Sequence, residues 1–214
     1  AALATVIPNQ QGCYMLVDIG ANKECRPEML AQFGVMGSLY MENILGIQKP
    51  RVGMINIGSE DTKGLELQKE ANLLLEKAPV NFIGNVEPRY LPFGCCDVAV
   101  CDGFTGNVVL KLTEGLGKWF ASELKGIFME NVSSKLGYLM VRNGVASFRK
   151  KMDYKEYGGA PLMGIAKPVI KAHGSSDAKA LKNAIRQAKE YTERDVVSQI
   201  SQALSKMKTQ SGQE

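Results

Sequence analysis

The residues best suited to chemistry in this sequence lie in short polar loops, each of which follows an apolar run. In VAVCDGFTGNVVLK, residues 98–111, four apolar residues run into Asp102-Gly103, then Thr105-Gly106-Asn107, and then into a helical pattern. The same arrangement recurs at DIGAN (18–22), NIGSEDTKG (56–64), GNVE (84–87) and AHGSS (172–176). Glycine lets backbone N–H groups come close to a ligand, and N–H groups at a helix start favour an anion. Loops of this type at the carboxyl ends of parallel strands line the ligand crevice of an open sheet. Together they predict a phosphate site. Taken singly, each loop also reads as strand-to-helix punctuation, with Lys63 and Glu66 on a solvated helix face, Asp102 as a helix cap and His173 as a structural histidine. Neither GxGxxG nor GxxxxGK[ST] occurs, so no standard dinucleotide or P-loop signature supports a nucleotide.

Positioning these loops requires alternating elements, and the sequence supplies them. YMLVDIGAN reads as strand and turn, followed by the helix RPEMLAQFGVMGSLYMENILG with Pro27 in its first turn and Gly46 past its end. RVGMINIGSEDTKG repeats the unit before the amphipathic helix LELQKEANLLLEKA, whose Leu67, Leu74 and Leu75 share one side. VNFIGNVEP and CDVAVCDGFTGN are further strand-turn units, and PVIKAHGSS leads into a long helical region in which Ala180, Leu181, Ala184, Ile185 and Ala188 suit close packing. This order predicts an α/β protein with a largely parallel sheet. It is read as one domain over residues 1–204, with a helical hairpin inserted at about 127–152 and a flexible tail at 205–214. The opening AALATVIPN looks like a strand already in progress, without a methionine, which suggests a fragment.

Composition narrows the classes. The 214 residues are 45% hydrophobic and 22% charged, as in ordinary globular proteins. A net charge of +4 is too small to imply nucleic acid, but it is compatible with an acidic partner met by a local basic patch. Five cysteines, Cys13, Cys25, Cys95, Cys96 and Cys101, are odd in number and lack CxxC spacing, which predicts reduced thiols in a cytosolic setting. Cys101, directly before Asp102, could in principle act as a nucleophile, but its apolar strand favours burial over covalent catalysis.

The set DIGAN, QFGVMGSLY, NIGSEDTKG, NFIGNVE, CDGFTGNVVLK, YGGAPLMG and KAHGSSDAKALKNAIRQA closely resembles PlsX, the bacterial phosphate acyltransferase family of phospholipid synthesis, over nearly the whole chain. Members of that family carry a further N-terminal part with a DAMGGD-like turn. The loop GNVEPRY departs from the family pattern at Pro88 and Tyr90, so only Asn85 and Glu87 carry over there. The resemblance implies a three-layer α/β/α sandwich similar to isocitrate and isopropylmalate dehydrogenase and to phosphotransacetylase, paired into a homodimer. It also implies acyl transfer from acyl carrier protein to inorganic phosphate, with no nicotinamide, no other cofactor and no metal. The product would pass to a glycerol-3-phosphate acyltransferase, and the enzyme would sit in the cytoplasm, peripherally on the inner face of the plasma membrane.

On this resemblance Asp102, Lys63, Asn107 and His173 are the expected catalytic residues, with Asp102 as general base or orienting carboxylate. Phosphate and substrate would be held by Asn22, Glu60, Asn85, Gly103, Thr105, Gly106, Gly174, Ser175 and Ser176. Such a reaction is a task of positioning and electrostatic stabilisation. The region from Ile127 to Met152 mixes Leu136, Leu139, Met140 and Val141 with Arg142, Arg149, Lys150 and Lys151. It reads either as helices packing on a dimer partner or as a surface touching anionic membrane or the acidic carrier protein. Two other functional classes remain open: an NAD(P)-dependent dehydrogenase of the same architecture, for which no Asp cluster or adenine loop is found, and a non-catalytic binding module.

Overall fold

The computed structural model describes residues 1–151, 158–172, 174 and 176–211, with side chains to residue 207. The chain opens with an antiparallel hairpin, β1 (Ala2–Asn9) and β2 (Gly12–Val17), in which Gly12 takes a φ of 142° that other residues avoid. Then come α1 (Pro27–Leu45), β3 (Arg51–Ile55), α2 (Glu66–Lys77), β4 (Asn81–Val86), a short 3₁₀ turn (Pro88–Phe93) and β5 (Val98–Val100). The rest of the chain forms α3 (Gly103–Met129), α4 (Val132–Lys151), β6 (Ala160–Met163), β7 (Val169–Lys171), α5 (Ala178–Glu193) and α6 (Val196–Ser211).

One sheet collects all seven strands in the order β4-β3-β5-β2-β1-β6-β7. From β4 to β2 every pairing is parallel, whereas β2 to β1, β1 to β6 and β6 to β7 are antiparallel. Because β6 opposes β1, which opposes β2, five strands share one direction and only β1 and β7 run against it. The expected α/β architecture is present, but the sheet is mixed. Strand β6 is not legible in the sequence, since it has four residues, includes Pro161 and sits inside what reads as a Gly-rich loop, YGGAPLMG.

The core lies between the parallel strands and α1, which buries ten of its residues, from Leu30 to Met41. Pro27 opens α1, and Gly46 closes it in the left-handed conformation, its N–H donating to the Glu42 carbonyl and that of Ile47 to the Met41 carbonyl. Gly34 and Gly37 let α1 lie directly on the sheet: a Cβ on Gly37 would stand 2.6 Å from Val98 Cγ1, and one on Gly34 would stand 3.2 Å from Val52 Cγ1 and 2.7 Å from Leu75 Cδ2 of α2. Helices α2, α5 and α6 pack around α1. Val98 and Val100 face this core, so the pleat turns Ala99 and Cys101 to the opposite side, where α3 starts with Gly106 against the Cys101 thiol. At the amino end of the parallel strands Arg51 grips Asp97 with Nε and Nη2, both at 3.0 Å, and tethers the Gly94 and Cys95 carbonyls.

Four expectations about the elements need revision. The hairpin is a separate compact unit over 108–153, so its first arm begins well before residue 127; inside it the Phe128 and Tyr138 rings stand 5.2 Å apart. The tail is helical to Ser211, because Val196, Ile200, Leu204 and Met207 form a stripe that packs on the core. The long C-terminal helix breaks at Arg194 and Asp195, the latter at φ 49°. Within α5, Ala180 and Ala184 are buried as expected, but Leu181 and Ile185 are exposed, because the buried stripe runs through Gln187 and Tyr191 instead. Gln187 donates to the Tyr40 hydroxyl and accepts from Gly159 N–H, which justifies its place inside. Among the described residues, no helix is long and apolar enough to cross a membrane.

Candidate functional site

The carboxyl ends of β2 and β5 are neighbours in the sheet, and the loops that leave them interlock. Asp18 is fully buried at the head of the 18–22 loop. Its Oδ1 accepts from the N–H groups of Leu3, Gly20 and Ala21 at 3.0, 3.1 and 3.0 Å. Its Oδ2 accepts from Asn22 N–H at 2.7 Å and from Asn22 Nδ2 at 2.8 Å. The carbonyl of Asn22 in turn accepts the N–H of Gly103, the first residue of α3, at 2.8 Å. Gly20 faces Asn107, the place of a Cβ on Gly20 lying 3.2 Å from Asn107 Nδ2.

Asp102 caps α3. Its Oδ1 accepts from Thr105 N–H at 2.8 Å and its Oδ2 from the Thr105 hydroxyl at 2.7 Å, the arrangement expected of an N-cap aspartate. Loop amides had been expected to face an anion. At this corner they are instead committed internally: those of residues 20–22 to Asp18, and two at the start of α3 to Asn22 and Asp102. The groups presented outward are side chains, with Asn107 exposed and Asp102 and Thr105 half-buried.

A second constellation occupies the ends of β3 and β4 on the same edge of the sheet. Asn85 is buried at its centre, its oxygen accepting from Asn56 at 3.0 Å and Asn72 at 2.9 Å while its amide donates to the Glu60 carbonyl at 2.9 Å. Asn56 donates to the Lys63 carbonyl at 3.0 Å, and its own oxygen accepts Ile57 N–H at 2.8 Å. These amides fix the 56–64 loop, on which Lys63 and Glu60 stand exposed, their charged ends 4.0 Å apart. Asn85 therefore shapes the loop from inside and does not face a ligand, whereas Lys63 is free to turn toward an anion.

Of the expected site residues, the fold gathers Asn22, Asp102, Gly103, Thr105, Gly106 and Asn107 at one corner and Glu60, Lys63 and Asn85 at the other. The fifth loop does not join them. Strand β7 runs against β2 to β5, so the chain that reaches Gly174 and Ser176 leaves the sheet in the opposite direction, a consequence of the antiparallel half. His173 and Ser175 lie outside the described residues. In the separate hairpin unit, Leu136, Leu139, Met140, Val141, Arg142, Arg149, Lys150 and Lys151 are all exposed. Asp18, Asn56 and Asn72 escaped attention in the sequence. An aspartate opening a Gly-Ala-Asn turn is a side-chain turn signal that could have revealed Asp18. Asn72, a polar residue between buried Ala71 and Leu75, could have been noticed as a break in an apolar face.

The cysteines take structural places near both ends of the sheet. Burial pushes the Cys101 thiol well up, reinforced by the charges of Asp102 and Asp18, so no thiolate nucleophile forms there. Burial also raises Cys25, which lies near the Asn22 carbonyl. Among the described residues, no cluster of three or more His, Cys, Asp or Glu is arranged to hold a metal.

A family model described as fatty acid synthesis protein matches residues 1–199. A phosphate acyltransferase of Alkaliphilus oremlandii is 53% identical over 206 residues, covering 96% of this chain and 62% of that protein. Those of Brevibacillus brevis and Thermoanaerobacter pseudethanolicus are 50% and 48% identical with the same coverage. The chain thus spans about 62% of the length of these curated relatives. Among solved structures, the EutD phosphotransacetylase from Staphylococcus aureus is similar over 55% of this chain and 42% of that one, with 18% identity and a TM-score of 0.43.

Proposed function

We propose that this chain, which belongs to the fatty acid synthesis protein family, forms the acceptor side of a phosphate acyltransferase. In the proposed reaction a phosphate oxygen attacks the thioester carbonyl of acyl-[acyl carrier protein]. The C–O bond forms, the C–S bond breaks, and the carrier thiol leaves with a proton, giving acyl-phosphate for phospholipid synthesis. The observation that carries this reading is the identity of about half the residues over 96% of the chain to relatives bearing that name, a span that includes both strand-end constellations.

The geometry supports a division of labour. Asp102 is half-buried, with each oxygen engaged once by Thr105 and the remaining lone pairs open to orient phosphate or take its proton. Asn107, beside Gly20, supplies a donor for phosphate or for the developing oxyanion. Lys63, only loosely held by Glu60, supplies mobile positive charge.

The test is acyl-phosphate formation by the intact enzyme with acyl-[acyl carrier protein] and phosphate. Lys63→Ala should raise the phosphate KM about tenfold, the loss of roughly 1.4 kcal/mol of binding, with its fold intact. A wild-type phosphate KM in that variant would remove Lys63 from the site. Stabilisation by NADP with magnesium in place of phosphate would favour the dehydrogenase reading instead.

The exposed hairpin supports a peripheral membrane role. Leu139 is 56% and Met140 88% exposed, while Arg142, Arg149 and Lys150 are exposed on the same helix. Basic residues near an anionic surface contribute about 1 kcal/mol each, so binding would be reversible and sensitive to salt. The proposed enzyme is a cytoplasmic homodimer that meets the inner leaflet through this surface and passes its amphiphilic product to a membrane glycerol-3-phosphate acyltransferase. Changing Leu139 and Val141 to Glu should release the protein from anionic vesicles in a flotation assay while leaving soluble turnover and the dimer intact. Persistent flotation, or loss of the dimer, would instead make the hairpin a packing element.

A further inference from the structure

We infer that Asp18 is a positioning residue for the phosphate site, an inference that rests on the acyl-transfer reading above. Its carboxylate has no access to solvent and cannot touch a ligand at the rim. A buried carboxylate is tolerated only where donors replace its water, and here five do. Three of them are the consecutive N–H groups of Gly20, Ala21 and Asn22, so the loop is wrapped around an internal anion.

That wrapping decides what the loop shows on its other side. With its amides turned inward, the Asn22 carbonyl is directed at Gly103 N–H, and Gly20 is set against Asn107. The backbone of Asp18 completes the seat of α3: its carbonyl accepts from the Cys101 thiol at 3.5 Å and lies directly under Gly106. A Cβ on Gly103 would stand 3.0 Å from Asp18 Oδ2. The first turn of α3 carries Asp102, Thr105 and Asn107, so the position of these groups depends on a charge that never meets the substrate. The fifth donor, Leu3 N–H, ties the same carboxylate to β1 and gives the seat a fixed reference in the sheet.

The variant Asp18→Asn keeps the size of the side chain but aims an NH₂ group at N–H donors, so the loop must reopen. The measurements, on the intact enzyme at a temperature where circular dichroism shows it folded, are the melting shift induced by inorganic phosphate and the split between phosphate KM and kcat. Asp18→Asn should need at least about tenfold more phosphate for the same melting shift and should raise the phosphate KM to match, with a smaller change in the KM for the acyl donor. A purely structural role would lower the melting temperature without moving either phosphate constant, and that result would overturn the inference. If Asp18→Asn does not fold, Gly20→Ala provides the second test, since at a φ of 130° a Cβ strains the same loop and presses on Asn107 while leaving the carboxylate intact; unchanged phosphate constants there also overturn it. Wild-type enzyme that makes no acyl-phosphate yet shows the phosphate shift, lost in Asp18→Asn, would refute the reaction while upholding the positioning role. No phosphate shift in the wild type refutes the positioning role.

Discussion

Gly106→Ala should destabilise the intact enzyme by about 3 kcal/mol or more and abolish acyl-phosphate formation at temperatures where the wild type is active. Two effects oppose each other at this position. Alanine is the better helix former by about 1 kcal/mol, and Gly106 lies inside α3. Its Cβ, however, would stand 1.8 Å from the Asp18 carbonyl oxygen and 2.9 Å from Cys101 Sγ. The near neighbour is sheet-anchored backbone, not the end of a flexible side chain, so α3 must lift from the end of β2. The overlap outweighs the propensity gain, and it moves Asp102 and Asn107 with the helix. Gly115→Ala and Gly117→Ala, in the same helix with nothing described within 4 Å, should instead be neutral or stabilising by up to about 1 kcal/mol. Chemical denaturation of the three variants decides the matter, and a wild-type midpoint for Gly106→Ala would mean that α3 does not sit on Asp18 as described.

The second large effect separates the two roles of Asp102. Asp102→Ala should lose about 1 kcal/mol through the missing helix cap and at least about a hundredfold in turnover through the missing carboxylate. Asp102→Asn caps as well as aspartate does, since its oxygen still accepts Thr105 N–H and the Thr105 hydroxyl can turn to accept from its amide. The asparagine variant should therefore hold stability within a few tenths of a kcal/mol while losing turnover as severely as the alanine variant does. Single-turnover measurement at saturating phosphate is the readout. An asparagine variant with wild-type turnover would reduce Asp102 to a cap.

These two positions also mark what could and could not be seen in the sequence. That Asp102 begins a helix is legible, because an aspartate between an apolar strand and a helical pattern is a local capping signal. Local too are Pro27 and Gly46 at the ends of α1, the apolar side of α2, and the polar loops that end β2, β3, β4 and β5. Each depends on residues within a few positions of one another, so periodicity and turn chemistry carry the information.

The contrast between Gly106 and Gly115 is not legible, because both are glycines in one helical pattern and differ only in what the fold brings near them. The same holds for the full set around Asp18, whose turn with residues 20–22 is a local signal but whose fifth donor, Leu3 N–H, arrives only when β1 pairs with β2, and for Asn85, which looks like a ligand in a strand-end loop but is drawn inward by Asn56 and Asn72. Strand direction is the clearest case. The run before Gly174 resembles the run before Gly103, yet β7 pairs antiparallel to β6 and carries its loop away from the rim. A strand has the same period of two whichever way its neighbour runs, so its sequence records which face is buried but not which direction it takes. Direction is settled by hydrogen bonds between segments far apart in the chain, and it determines which of the polar loops can meet.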